Sequence, residues 1–441
     1  MVAMNESVLK FLRKSRTMTI STNGERLWTT KVYYALEHGF VFLVEKNSQT
    51  LRNIQINNNV SFEIDNNKLS VFVQGSGKVE ILGEPANFPK ERGKLVYKVP
   101  EDQVFIKHEH VFIARLIPEE IRSMDMRIEM RRSGEKFSMD ELVEDIKPLY
   151  KAFRPWSFQQ SVMTFIAGSI IAGYLHSLYF ILGIIGIILA HGAFNAISEY
   201  FDYRAGIDNP KSLGGSRVLV DGLVKPDRVI YSFVIMFILS LIIAIYLTVA
   251  RPEIIPFILI GIVAGLIYGI PKIGFKHLAL GDLSVFLAWS GIFLGAMVLQ
   301  GGKFDLVTLL LMLPFPLLTV NILHGNNWRD INDDRQRGVR TVASLLGQEG
   351  SKIYYLFLLW IFIPLDISAI IIDKRMFPVL ATFLTIPFAV GLSRIAMNNK
   401  NIKRGMLDKL TASYTLYYGI AFVISFILFS GYSVGLKLLF P

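Results

Sequence analysis

Cysteine is absent from the 441 residues. No disulfide can form, and no thiolate can act as nucleophile or metal ligand; the compartment stays open. Charge is scarce too: 19% of residues are Asp, Glu, Lys or Arg, against 52% hydrophobic. That balance is too apolar for an ordinary soluble enzyme. The scarcity is uneven. The first third of the chain is charged and Asn-rich, whereas long apolar runs recur from Trp156 onward. These runs lack the polar/apolar alternation of an outer-membrane barrel, which leaves helices as the spanning element. A secretory leader ahead of the soluble part is not expected.

About nine runs are long enough to cross ~30 Å of hydrocarbon. They lie near 157–175, 178–200, 229–249, 254–271, 280–299, 305–325, 353–373, 377–394 and 413–435. Lys and Arg concentrate in the connections at 201–228, 272–279, 326–352 and 395–412, and are sparse in most of the alternate ones. The positive-inside rule then places those four connections and the N-terminal region on the cytoplasmic face of a cell inner membrane. The formal charge of +10 is accounted for by this topology and by anionic lipid, so no nucleic-acid partner is expected.

Residues 1–120 read as β structure. "LWTTKVYYAL", "GFVFLVEK", "VSFEID" and "LSVFVQGSGKVEIL" are β-branched and aromatic runs separated by turn signals. Helices are expected near 5–14 and 48–57, and the short, evenly spaced strands suggest a small barrel. Residues 121–154 read as a charged connector. Its "MDELVEDIKPLYKAF" is either a surface amphipathic helix or an ordinary linker. The third region, 155–441, is the membrane domain.

Two polar clusters stand out where a span meets a basic connection: "NAISEYFDYRAGIDNPKSLGGSR" and "NNWRDINDDRQRGVRT". Charge kept near a membrane core tends to be functional. In the first cluster Asn195, Glu199 and Asp202 share one helix face by spacing, and Asp208 follows Gly206, a helix stop. In the second, Asp330 and Asp334 share a face, with Asn326 one turn earlier and Asn327 and Arg329 on the flanks. Facing carboxylates repel unless a cation lies between them. Mg²⁺ takes one or two carboxylates together with phosphate oxygens, and Lys211, Arg217, Arg329 and Arg340 could hold the phosphates. The pattern suits a metal–diphosphate clamp at the mouth of an apolar cavity. Helix caps on solvated loops are the plain alternative, and a transporter with intramembrane carboxylates is another. His324 either assists proton removal or packs in the core. Lys272 either joins the head-group site or obeys the positive-inside rule.

The same residues resemble the UbiA family of intramembrane aromatic prenyltransferases. "SEYFDYRAGID" is similar to the family's first Asp-rich motif, with Glu199 where Asp is usual; "NNWRDINDD" is similar to the second, and "RPWSF" and "GDLSVFL" also fit. The resemblance implies nine transmembrane helices and Mg²⁺-dependent prenyl transfer from an isoprenyl diphosphate to an aromatic acceptor. It implies Glu199, Asp202, Asp208, Asp330 and Asp334 as metal ligands. Asn195, Lys211, Arg217, Asn326, Asn327 and Arg329 would contact diphosphate, and Asp202, Asp330 and Arg329 would form the catalytic centre. "GIDNPKSLGGSRVLVDGL" is closest to the dihydroxynaphthoate (menaquinone) branch.

The N-terminal region resembles the pyridoxamine phosphate oxidase-like split barrels, through "TTKVYYALEHGFVFLVEKNSQTLRNIQINNNVSFEID". That family holds a flavin phosphate at a helix start. The resemblance implies Ser48, Thr50 and Arg52 there, with FMN or a related flavin as cofactor; Thr50 stands where a basic residue is usual. A barrel used only for homodimerisation or regulation is the alternative. Overall, the expected fold is an all-β split barrel with short helices, followed by an all-α membrane domain. A membrane-anchored flavin oxidoreductase acting on a quinone, and prenyl transfer to a non-quinone lipid, are the competing functions.

Overall fold

The computed structural model describes residues 4–65, 71–107, 110–125, 132–144, 148–173, 175–208, 215–270, 274–336, 338–398 and 405–429. The chain forms two compact units. One comprises Met1–Leu149 with Asp208–Pro226, the other Tyr150–Ile207 with Asp227–Pro441.

The first unit is a barrel. Strands β1 (Thr17–Asn23), β2 (Leu27–Leu36), β3 (Phe40–Glu45), β4 (Asn59–Asp65), β5 (Val71–Gly83) and β6 (Val111–Asp125) pair antiparallel in the order β3-β2-β1-β4-β5-β6. Pairing of β3 with β6 closes the ring, and β7 (Arg132–Gly134) extends β6 outside it. Alternation sets the interior: Val60, Phe62 and Ile64 of β4 point inward between exposed neighbours. Bulges at Ser76/Gly77 and Ile81/Gly83 interrupt the register of the long β5–β6 pair, and such bulges bend a strand. Helices α1 (Glu6–Lys14), α2 (Gln49–Ile56), α3 (Pro89–Lys98) and α4 (Asp102–Lys107) decorate the ring.

The expected boundary at residue 120 falls inside β6. Leu142, wholly buried, packs in the barrel core, so most of the expected connector belongs to the barrel unit. Of the expected surface helix, one turn forms at Leu149–Ala152, and 145–147 lie outside the described residues.

The second unit is helical: α5 (Phe158–Ile171), α6 (Ser177–Arg204), α7 (Pro226–Ala250), α8 (Ile255–Tyr268), α9 (Gly281–Leu299), α10 (Leu306–Arg329), α11 (Ile331–Gln336), α12 (Val342–Ile372), α13 (Lys374–Met397) and α14 (Leu407–Phe429). Among the described residues, seven helices are long and apolar enough to cross a membrane: α6, α7, α9, α10, α12, α13 and α14. The other two expected spans fall on shorter helices. α5 has 14 residues, and the stretch Pro252–Tyr268 ends in α8, also of 14; each helix is about 21 Å long at 1.5 Å per residue.

The core lies between α9, α10, α12 and α14, where Phe293, Phe315, Phe362, Tyr418 and Phe422 are buried together. Phe315 meets Phe422 edge-on at 5.1 Å. α5 approaches α9 closely at Gly168, where a Cβ would stand 2.2 Å from the Phe293 carbonyl oxygen. Small residues at a crossing permit the backbone contact that drives helix association in lipid. Outward, Ile235, Ile238, Ile242, Ile245 and Val249 of α7 are exposed, an apolar face suited to acyl chains.

Candidate active site

α6 is 28 residues long, about 42 Å and thus about two turns longer than a ~30 Å hydrocarbon layer. Its polar C-terminal turns carry the first motif. Asn195 donates from Nδ2 to the Phe153 carbonyl at 2.9 Å and to Ser157 Oγ at 3.1 Å. His191, one turn below, meets Ser157 Oγ at 3.2 Å and Ser161 Oγ at 2.9 Å. These bonds hold the segment ahead of α5, where Arg154 adopts a left-handed backbone (φ 51°). Arg154 Nη2 then donates to Glu199 Oε2 at 2.9 Å, and Glu199 is 1% exposed. Asp202 is buried and ion-paired with Lys276, which lies in the connection between α8 and α9. Glu199 and Asp202 therefore each hold a cation from another segment.

In the second motif the helix breaks at Asp330 (φ −98°, ψ 10°). The Asp334 amide still donates to the Asp330 carbonyl at 2.9 Å, so the expected one-turn spacing survives the break. Arg329 is the hub. It donates to both Asp330 oxygens (2.9 and 2.7 Å), to Asn326 Oδ1 (2.6 Å) and to Asp408 Oδ2 (2.8 Å) at the start of α14. Asn327 is partly buried on the flank. The Ala279 amide donates to the Arg340 carbonyl at 2.8 Å, which ties the Lys276 connection to the one after α11. Tyr268, at the end of α8, lies within electrostatic range of Asp202, Asp334, Asp282 and Arg154. Both motifs thus lie within electrostatic range of one tyrosine.

Below this polar end runs a cavity of about 380 Å³ between α5, α6, α7, α8 and α9. Arg154, Asn195, Ser198 and Tyr268 line it at the polar end, with His191 and Trp289 deeper and Phe165, Leu247, Ile254 and Leu299 at the far end. From Ser284 to Leu299 of α9 it extends about 22 Å at 1.5 Å per residue. The walls are apolar and no carboxylate lines them. Such a shape fits a molecule with an anionic head and a long hydrocarbon tail.

The match to the UbiA prenyltransferase family covers residues 161–406, more than half of the chain. The chain belongs to the UbiA prenyltransferase family. The protein is therefore a prenyltransferase and a multi-pass membrane protein. It is 32% identical over 285 residues to UbiA prenyltransferase domain-containing protein 1 of Xenopus tropicalis, covering 63% of this chain and 81% of that one. The human protein of the same name is also 32% identical, with 82% of its length covered. A solved apo UbiA homologue from Aeropyrum pernix K1 superposes with a TM-score of 0.50 at 17% identity, covering 60% of this chain and 97% of that one; this likeness concerns the fold. The barrel lies outside the family match.

For this UbiA member, the structure gathers Glu199, Asp202, Asn195, Asn326, Arg329, Asp330 and Asp334 at one end of the helices. Lys211 and Lys272 lie outside the described residues. Asp208 and Arg217 sit on the segment that folds with the barrel, where Arg217 is buried and ion-paired with Asp221. His324 is wholly buried, donates from Nε2 to the Ser351 carbonyl at 3.2 Å and packs edge-on against Tyr354; it is a packed core histidine. Sequence reasoning missed Arg154, Lys276 and Asp408 as partners. The available signal for Arg154 was the "RPWSF" match, and for Lys276 the basic connection.

In the barrel, the residues expected to hold a flavin phosphate are committed to the fold. Ser48 Oγ caps α2, accepting from the Leu51 amide at 3.2 Å and donating to the Glu45 carbonyl at 2.8 Å. Thr50 is buried. Arg52 donates to the Asn47 carbonyl and to Gln49 Oε1, and pairs with Glu25. The neighbouring Asn53 ties α2 to the β1–β2 hairpin through Thr22, Glu25 and Arg26. These residues do not fit a phosphate cradle.

Proposed function

We propose that this chain transfers a prenyl group from an isoprenyl diphosphate to an aromatic acceptor of the quinone-precursor type. The observation that carries the reading is an apolar cavity ending beside two acid–base clusters on one side of the helices. The acceptor class rests on "GIDNPKSLGGSRVLVDGL" and its resemblance to the dihydroxynaphthoate branch. We take the expected topology with it: nine spans, with the polar end on the cytoplasmic side.

The donor set fits Mg²⁺. All the candidates are oxygen ligands, and Asp408 Oδ1 is buried without a hydrogen-bond partner. Among the described residues no three acidic or histidine side chains converge to hold a metal alone. Each ion would then be held by one or two of these carboxylates and take the rest of its shell from phosphate oxygens and water, as Mg²⁺ does. Glu199, Asp202, Asp330 and Asp334 would between them hold one or two Mg²⁺, which when bound would neutralise the charge that develops on diphosphate as the allylic C–O bond breaks. Asp208 keeps its ligand role on sequence pattern alone.

The chain's own residues do the rest. Arg154, Lys276 and Arg329 balance the carboxylates now, and each can turn its donors to phosphate oxygens when the carboxylates take a metal. Asn195 fixes the Arg154 segment. The apolar walls exclude water from the allyl cation. Tyr268 and Trp289 present aromatic faces in the cavity, where a cation is attracted to the ring quadrupole. No step is assigned to the barrel, because Ser48, Thr50 and Arg52 do not offer a flavin phosphate site.

The test is product analysis. Membranes containing the protein are incubated with a labelled prenyl diphosphate and a panel of acceptors: dihydroxynaphthoate, 4-hydroxybenzoate and a glyceryl phosphate lipid. Label in the naphthoate product supports the reading. Label only in the glyceryl lipid refutes the acceptor class.

A further inference from the structure

The connection between α6 and α7 does not fold with the helices it joins. Residues Asp208–Pro226 belong to the barrel unit, and a buried three-residue charge cluster holds the described stretch 215–226 there. Arg92 of α3 is wholly buried. Its guanidinium meets Asp221 Oδ1 from Nε (3.0 Å) and Nη2 (2.9 Å), and donates to the Val220 carbonyl (2.8 Å) and the Pro85 carbonyl (3.3 Å). Asp221 also accepts from Arg217 at 3.0 Å. Around the cluster, Val218, Leu219 and Val224 are buried. The next residue of α3, Gly93, leaves no room for a side chain: a Cβ would lie 2.5 Å from Asp221 Cβ and 2.6 Å from its carbonyl oxygen.

The described docked stretch, 215–226, carries Arg217 and follows Asp208, the last acidic residue of the first motif, in the chain. We propose that the barrel is a positioning scaffold for this connection, with Arg92 as the positioning residue. By fixing the connection it keeps the chain after Asp202 in the conformation that binds prenyl diphosphate. The proposal rests on the function given above. Its thermodynamic form is simple: if the binding-competent conformation has population f, the apparent dissociation constant is the intrinsic one divided by f. A docked connection holds f near one, and an undocked one lowers it.

Two variants of the full-length protein separate docking from folding. Gly93→Ala adds a methyl that collides with Asp221, yet favours helix α3 by propensity. Arg92→Met removes the charge contact and keeps the bulk. Hydrogen exchange over 215–224 reads docking without any catalysis, and steady-state kinetics reads KM for prenyl diphosphate separately from kcat. The expected result is faster exchange over 215–224, and a KM for diphosphate raised about tenfold with kcat changed less than about threefold. Arg92→Lys, which keeps a charge toward Asp221, recovers part of both. Unchanged exchange in Gly93→Ala and Arg92→Met refutes the clamp. Faster exchange with an unchanged KM refutes the positioning role. Absence of transfer by the unmodified protein is a separate outcome: it refutes the functional reading and with it the diphosphate role, while the exchange arm still decides whether the barrel holds the connection.

Discussion

Arg154 reaches Glu199 at 2.9 Å from a left-handed backbone position just ahead of α5, and Glu199 is 1% exposed. A buried carboxylate paired with a cation is a poised arrangement: the cation is needed while the site is empty, and becomes available for phosphate once a metal takes the carboxylate. Removing one partner of a buried ion pair is destabilising, on the scale of a few kcal/mol where nothing else compensates the remaining charge. Arg154→Met should therefore lower thermal stability, and Arg154→Met with Glu199→Gln should recover much of it, since both charges are gone. Both should lose prenyl transfer by about 100-fold or more. A double variant as unstable as the single one would show that the pair is not what holds this corner.

The cavity predicts a length discrimination. Gly261 lines it, and a Cβ added there meets nothing within 4 Å. Gly261→Leu should fold normally and shorten the space for a tail. Its kcat/KM should fall more for a long prenyl diphosphate than for geranyl diphosphate, by about tenfold or more, the scale of a few methylenes in an apolar pocket. Equal losses for both donors would place the tail elsewhere.

The barrel carries a pH dependence of its own. Asp102, at the start of α4, is buried, and its Oδ2 has no hydrogen-bond partner. Burial pushes its carboxyl up to about 7 and the neighbouring Glu101 adds to the rise, with Arg16 opposing. The folded state then binds the proton more tightly than the unfolded state. Stability is greatest below the ordinary carboxylate value, falls as pH rises from about 4 to about 7, and is flat above. Asp102→Asn should remove that slope and raise the unfolding temperature near pH 8. Melting curves of the full-length protein across this range give the answer; parallel slopes in both proteins would assign the dependence to another group.

Much of this was legible in the chain. The apolar runs marked where helices form, and the spacing of Glu199 to Asp202 and of Asp330 to Asp334 marked the two acidic clusters of the candidate site. Those are local signals, set by helix periodicity. What escaped was non-local. Arg154, Lys276 and Asp408 lie 45, 74 and 79 residues from their partners, and no spacing rule connects them. The closure of β3 on β6 joins strands separated by four others in the ring order. Arg217 looked like a phosphate ligand because its surroundings were read along the chain, whereas Asp221 and Arg92 set them in space. The same holds for Ser48 and Arg52, whose donors and acceptors are used by capping and by Glu25 and Gln49. Two expected spans were too long because α5 stops at Ile171, with Gly173 beyond it at positive φ, and α8 of the 254–271 run stops at Tyr268, with Gly269 as its cap.

The central claim is that the two acidic motifs form one metal–diphosphate site. The most direct measurement is Mg²⁺-dependent transfer of label from a prenyl diphosphate by the purified protein, alongside Asp202→Asn and Asp330→Asn. Transfer should vanish with chelator and return with Mg²⁺, and each variant should lose about 100-fold or more in kcat. Full transfer by either variant, or transfer indifferent to chelator, would contradict it.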